Sequence, residues 1–180
     1  MAHTSSLTDR MIRAGKLDVN LYEEVEADQG ATGQAVSVVI LSSVAMGVGS
    51  FTEVGVPGLI GGALAALAGW FVWALLTYWI GTRLLPEPQT HADLGQMLRT
   101  TGFSSSPGVL RILGIVPGLW SLVVFGTAVW MLAAMVIAVR QALDYQGTLR
   151  ALSVCVLGWL IQLIFFAFLY GLSRGFQPAI

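Results

Sequence analysis

The sequence predicts an all-α, polytopic transmembrane helical bundle. Three observations predict it: a composition too apolar for a soluble fold, several uncharged stretches of bilayer length, and an alternation of basic and base-free connections between them. The chain has 180 residues, of which 56% are hydrophobic and 11% charged, with a mean hydropathy of +0.76. Soluble domains carry about 25% charged residues. A fold this small has too much surface to hide such a composition from water, so a bilayer must serve as its solvent. The net charge of −1 offers no basic stripe to neutralise phosphates, which excludes nucleic acid as a partner. Cys155 is the single cysteine and permits no internal disulfide. The first thirty residues are charged throughout and lack an apolar core. No cleavable signal peptide is therefore expected, and the internal spans are expected to drive insertion.

Residues 1–33 read as a polar head. Leu7, Met11, Ala14, Leu17, Leu21 and Val25 recur at steps of three and four, the period of one helical face. Asp18 or Asn20 is placed to cap a helix, with Glu23 three residues after Asn20 as in a capping box. One or two short amphipathic helices on the cytoplasmic membrane surface are expected. A solvated helix without lipid contact is the alternative, because the polar face is acidic.

The membrane domain spans 34–172. Its first helix, 34–51, reaches about 27 Å and is softened by Ser37, Ser42 and Ser43. The second, 59–81, reaches about 35 Å without a charge; 119–139 and 151–170 are each about 30 Å. Between them lies 103–116, only about 21 Å as a helix, bounded by Pro107 and Pro117-Gly118 and containing Arg111. It reads as a short or re-entrant third membrane helix. Residues 173–180 form a short tail.

Charge fixes the parity. Arg10, Arg13 and Lys16 precede the first span, whereas Thr52 to Gly58 contains no Lys or Arg; Arg83 and Arg99 follow the second span, and Arg140 and Arg150 flank the connection before the last. The positive-inside rule then places the head, the 82–102 loop and the 140–150 loop in the cytoplasm. That requires the chain to enter and return between 103 and 139, a hairpin turning at Pro117 and Gly118. Five membrane helices result, in an inner or plasma membrane, with the amino terminus cytoplasmic and the carboxyl terminus outside beside Arg174.

Gly58, Gly62 and Ala66 lie four apart on the second span, as do Gly61, Ala65 and Gly69. Small residues at that spacing let helix backbones approach in lipid, marking either a homodimer seam or close packing within the bundle. Tyr78, Trp79 and Tyr170 fit an interfacial aromatic belt. Trp70, Trp130 and Trp159 sit deeper and are expected to fill the bundle core.

Chemistry is scarce. The confident spans contain no interior Asp, Glu, Lys, Arg or His, which argues against a proton-coupled carrier, since intramembrane ionisable groups mark such relays. His3 and His91 fall outside the spans, so no haem ligand is expected. Glu87, His91 and Asp93 lack a third firm metal ligand and read as a solvated loop. Glu23, Glu24, Glu26 and Asp28 lack the spacing of a calcium loop and read as a hydrated face or a docking surface for a basic partner. No nucleophile elbow, P-loop or dinucleotide fingerprint is present. No enzyme activity, metal or cofactor is expected. Arg111 and Gln162 are the candidate polar site, with Arg111 either snorkelling to the membrane surface or closing a cavity lined by irregular backbone.

The succession Arg99-Thr-Thr-Gly-Phe-Ser-Ser-Ser-Pro107, Leu113-Gly-Ile-Val-Pro-Gly118, Trp130-Met-Leu-Ala-Ala-Met-Val-Ile-Ala-Val-Arg140 and Thr148-Leu-Arg-Ala151 resembles the Yip domain family, the Ypt/Rab-interacting membrane proteins, in its compact prokaryotic form. The resemblance covers about 35–172, and Lys16-Leu-Asp-Val-Asn-Leu-Tyr-Glu-Glu-Val-Glu is similar to the lead-in of the bacterial branch. It implies a five-helix membrane domain with a cytoplasmic amino terminus. Eukaryotic members contact Rab GTPases in vesicle traffic, but the short head here lacks their Asp-Leu-Tyr-Gly-Pro motif, so a Rab-type partner is not carried over. The expected function is non-enzymatic association, as scaffold, assembly factor or accessory subunit, with other membrane proteins or with itself. A homo-oligomeric channel or facilitator for a small neutral or lipid-like solute is the alternative.

Overall fold

The computed structural model describes residues 6–49 and 51–175, with side chains described throughout except at 51–57, 59, 166 and 168–175. His3, the side chains of Tyr170 and Arg174, and residues 176–180 of the expected tail lie outside that description. Every regular element among the described residues is helical.

The head folds as two helices, α1 (Leu7–Gly15) and α2 (Val19–Ala27). Ser6 caps α1 by accepting from the Asp9 amide at 3.2 Å, and Asp18 caps α2 by accepting from the Asn20 amide at 3.0 Å. Each carboxylate or hydroxyl satisfies an amide that the first helical turn leaves open. Leu17 leaves the apolar stripe and turns the corner between the helices, at φ +60°. Ala14, Leu21, Tyr22 and Val25 are fully buried against Ala35, Val38, Phe103 and Ala138. The expected stripe of the head thus packs against the bundle, while Ile12 and Val19 stay exposed.

Helix α3 is Ala31–Gly49, α4 is Phe51–Trp79 and continues through a π turn, Ile80–Leu84; α5 is Leu94–Phe103, α6 is Trp120–Ala142 and α7 is Thr148–Gly175. Among the described residues four helices are long and apolar enough to cross a membrane: Ala31–Gly49, Ile60–Leu84, Trp120–Ala142 and Thr148–Phe165. The helices overrun their apolar limits, and the connection expected at 52–58 lies inside α4. Near lipid a continued helix satisfies backbone groups that a loop would leave open.

The stretch expected as one short helix over 103–116 is built differently. Helix α5 ends at Phe103, and Ser106–Ile115 winds as a 3₁₀ helix with Pro107 in its first turn. Pro107 lacks an amide proton and disfavours α geometry in the residue before it, so the α-helix stops ahead of it. The hydroxyls around the break cover the exposed carbonyls: Ser104 donates to Thr101 O and Ser106 to Phe103 O, both at 2.7 Å, and Ser42 crosses from α3 to Ser105 O at 2.6 Å. Together α5 and the 3₁₀ segment run beside α3 from Ala35 to Gly49. A Cβ on Gly102 would sit 2.7 Å from Ala35 Cβ, one on Gly108 would overlap Ser42 Oγ, and one on Gly49 would sit 2.6 Å from Arg111 O. The chain then reverses at Pro117-Gly118, where Gly118 takes φ +84°, and Trp120 packs over Gly114 and Gly49.

A second core joins α4 to α7, with Trp73, Ile80, Met97, Val139, Leu143 and Val154 at its centre. Trp130 and Trp159, expected in the bundle core, are instead 41% and 61% exposed; Trp70 packs partly buried beside the head cluster. In lipid an apolar ring gains little by moving from the outside to the inside, so hydrophobicity alone does not sort the two. Trp130 uses its polar edge as well, donating to Gly15 O at 2.8 Å and tying α6 to the end of α1.

Candidate functional site

Three regions among the described residues are candidates for function. The first is the end of the bundle that carries the head. Arg10, only 4% exposed, donates to Glu24 at 3.0 Å, Gln34 at 2.9 Å and Asp28 at 2.8 Å. Arg13 bridges Asp18 and Glu24, and these pairings hold the Asp18 and Asp28 carboxyls below their ordinary range. Arg99 is buried too, donating to Val25 O at 2.9 Å and to Glu26 O, where it caps the carboxyl end of α2. The acidic run is thus largely consumed inside the chain: Glu23 accepts from Gln141 at 2.9 Å and Glu26 from Gln96 at 3.0 Å.

The two connections meet the head at this same end. Tyr145 donates to Gly81 O at 3.1 Å and Leu85 O at 2.8 Å, covering carbonyls at the π turn. Burial pushes its hydroxyl up to about 12. Arg150 pairs with Glu87 at 3.3 Å and donates to Pro86 O at 2.9 Å. Asp93 and Gln96 form a capping box on α5, and His91 is exposed. Glu23, Glu26, Gln89, Arg140, Asp144 and Tyr145 line a shallow cavity here. Burial, then the Asp144 charge, raises Glu26 to about 7. Among the described residues no group of three or more His, Cys, Asp and Glu is placed to hold a metal ion.

The second region is a cavity of about 310 Å³ between α3, α4, α6, α7 and the break after α5; Arg111 and Gln162 both line it, with Ser42, Ser43, Ser105, Trp70 and Trp73. Counting 1.5 Å per residue from the head ends of the helices, Ser42, Trp70, Met131 and Gln162 lie about 16–21 Å deep. That is roughly half of a hydrocarbon core about 30 Å thick. Arg111 Nε donates to Thr127 Oγ1 at 3.1 Å, and no carboxylate among the described residues pairs with it. The hydroxyls of Ser42 and Ser43 are spent on backbone carbonyls. Ala66 and Gly69 of α4 also line the space, and their smallness keeps it open.

The third region is the remainder of the small-residue face of α4. Gly61, Gly62 and Ala65 are exposed and Gly58 is half-buried. A Cβ placed on Gly61, Gly62 or Gly69 would meet nothing within 4 Å. The close approaches inside the bundle are made elsewhere, at Gly49, Gly81, Gly102, Gly108 and Gly114. Sequence reasoning passed over these because it looked for small residues repeated every four positions along one apolar span, and these glycines are scattered over several elements. The buried arginines Arg10 and Arg99 were equally hidden, since topology alone explains a basic residue beside a span.

A family model described as the Yip1 domain matches residues 22–169. Comparison with curated proteins and with solved structures gives no match.

Proposed function

This chain belongs to the Yip1 domain family, and from that footing we propose that it works without catalysis, by association within the membrane, as a scaffold, assembly factor or accessory subunit. The observation that carries this reading is the bare face of α4. Gly61, Gly62 and Ala65 expose backbone over an apolar helix whose neighbours Ile60 and Leu64 are 61% and 64% exposed. Lipid does not need small residues, but a second helix approaching closely does. The occupant is a transmembrane helix of another membrane protein or of a second copy. The head adds less to docking, because Arg10, Arg13, Asp18, Glu24 and Asp28 are paired within the chain.

In the same reading α5 and the 3₁₀ segment count as a fifth, broken crossing, with Leu110, Ile112, Leu113 and Ile115, all more than 40% exposed, turned to lipid. The head end faces the cytoplasm of an inner or plasma membrane, on the strength of its basic residues.

The test is extraction in a mild detergent at natural abundance, followed by native sizing and mass spectrometry of what co-migrates. A Gly61→Leu, Gly62→Leu pair should release the chain as a monomer while leaving its melting unchanged, since both positions have room. Co-migration unaffected by that pair, or a wild-type monomer, would remove the reading. A second reading, a facilitator for a small neutral or lipid-like solute, is favoured by the mid-membrane cavity alone. It predicts flux in vesicles that Arg111→Ala alters, and absence of flux across a broad solute panel would end it.

A further inference from the structure

Two side chains in the mid-membrane cavity have hydrogen-bonding capacity that nothing among the described residues uses. Arg111 commits Nε to Thr127, which leaves both Nη groups of its guanidinium directed to no carboxylate and no carbonyl. Gln162, fourteen residues into α7, makes no hydrogen bond among the described residues although it lines the same space. Both are only partly exposed. Gln162 lies well inside α7; Arg111 is four residues from the end of its 3₁₀ helix, beside Gly49 at the far end of α3, yet turns its Nε to Thr127 inside the bundle rather than to a surface. Keeping a cation and an amide at this depth is expensive and is otherwise offset by a counter-charge.

The remaining walls have a different chemistry. Trp70 and Trp73 spend their indole N–H groups on Thr101 and on Met135 Sδ, so they offer apolar faces. Met131 and Met135 line the same side and adapt to irregular shapes. One end of the cavity therefore provides paired donors and no acceptor of negative sign, and the rest provides adaptable hydrocarbon. A guanidinium with two free Nη groups matches an oxyanion in bidentate geometry. A simple inorganic ion would use only the polar end.

We propose that this cavity binds an anionic amphiphile, with its phosphate or carboxylate held by the Arg111 guanidinium and the Gln162 amide and its apolar body laid against Trp70, Met131 and Met135. The site does not depend on the association reading, which rests on a different stretch of α4.

The experiment uses delipidated full-length protein in an uncharged maltoside detergent. It is titrated separately with dioctanoyl phosphatidic acid, with dioctanoylglycerol, which has the same body without phosphate, and with inorganic phosphate. Binding is read by native mass and by tryptophan fluorescence. Wild type should retain one phosphatidic acid per chain and not the glyceride. Arg111→Gln should weaken binding at least about tenfold, the loss expected for charge-assisted hydrogen bonds, and Gln162→Leu a few-fold. Gly69→Leu should abolish it, because that position has free space and the new side chain would fill the cavity without disturbing the fold. Binding of inorganic phosphate with the same Arg111 dependence would support the oxyanion site and name a small free anion as its source. Equal binding of glyceride and phosphatidic acid, or binding that survives all three substitutions, would overturn the proposal, as would no binding at all. Gly61→Leu should leave binding intact while disturbing association, which separates failure here from failure of the association reading.

Discussion

Arg10 shows how one side chain organises the head. It is held by two carboxylates and an amide from α2 and α3, so Arg10→Met should cost about 2 kcal/mol, as for loss of charged hydrogen bonds in a partly buried setting. The check is a lower melting temperature together with faster proteolysis of α1. Tyr22 is the opposite case. Its ring is fully buried and its hydroxyl has no partner among the described residues. Tyr22→Phe should be neutral or stabilising by up to about 1 kcal/mol, because an unsatisfied hydroxyl is removed with little change of shape. Glu26 couples the head to pH. Its folded value near 7 lies above the ordinary carboxylate value, so the folded head binds the proton more tightly than the unfolded chain does. Stability should therefore rise as pH falls from 8 towards 5 and level off below the unfolded value. Asp18 and Asp28 act in the opposite sense and withdraw stability only below about pH 4, their folded values being depressed. Glu26→Gln should raise the melting temperature at pH 8 by about 2–4 °C and leave it unchanged at pH 5.

At the scale of elements, the glycines divide into two populations, those with a neighbour against them and those without, and the ladder on α4 falls mostly in the second. Gly108 faces Ser42 and Gly102 faces Ala35 with no space for a methyl group, so Gly108→Ala or Gly102→Ala should destabilise by about 1–3 kcal/mol, the cost of overpacking. Gly61→Ala should not. Thermal unfolding of the three variants in one detergent distinguishes them. The long apolar helices were readable from hydropathy because a bilayer imposes their length and forbids charge. The head helices were readable from a three-and-four period and from Asp18 as a cap. What covers the head was not, since Phe103 and Ala138 announce nothing about facing Leu21 and Tyr22. Nor was the break after Phe103 legible as such. The Ser-Ser-Ser-Pro run marks an interruption, but the hydroxyl bonds that make it tolerable depend on Ser42, sixty-three residues before Ser105.

For the molecule as a whole, the head, the 85–93 connection and the 143–147 connection form one cap over a single end of the bundle. The charge parity read from the sequence calls for these segments to share a side. Their contacts, Tyr145 with Leu85 O, Gln141 with Glu23 and Arg99 with Glu26 O, put them together. The candidate polar residues Arg111 and Gln162 were singled out separately and for different reasons, and only the tertiary fold brings them to one cavity. Their convergence could not be read from spacing, because fifty-one positions and the whole of α6 separate them.

The 3₁₀ winding of Ser106–Ile115 has a consequence in angular terms. Three residues complete one turn of a 3₁₀ helix, so every third side chain stacks in a straight column. Gly108, Arg111 and Gly114 form one column, lying against Ser42, the cavity and Trp120 in turn. Val109, Ile112 and Ile115 form a second, and Leu110 and Leu113 a third. The segment is a three-edged prism with one edge turned inward and two aliphatic edges, which begin beside α1 at Val109 and Leu110 and are exposed further on at Ile112, Leu113 and Ile115. Rewound as an α-helix, the inward column would slip by about 60° at each step, and Arg111 could not face its cavity while Gly108 and Gly114 kept their contacts. The triplet period of glycine, arginine and glycine is the signature of that prism, written in the sequence at a spacing that neither a helix pattern nor a strand pattern is built to find.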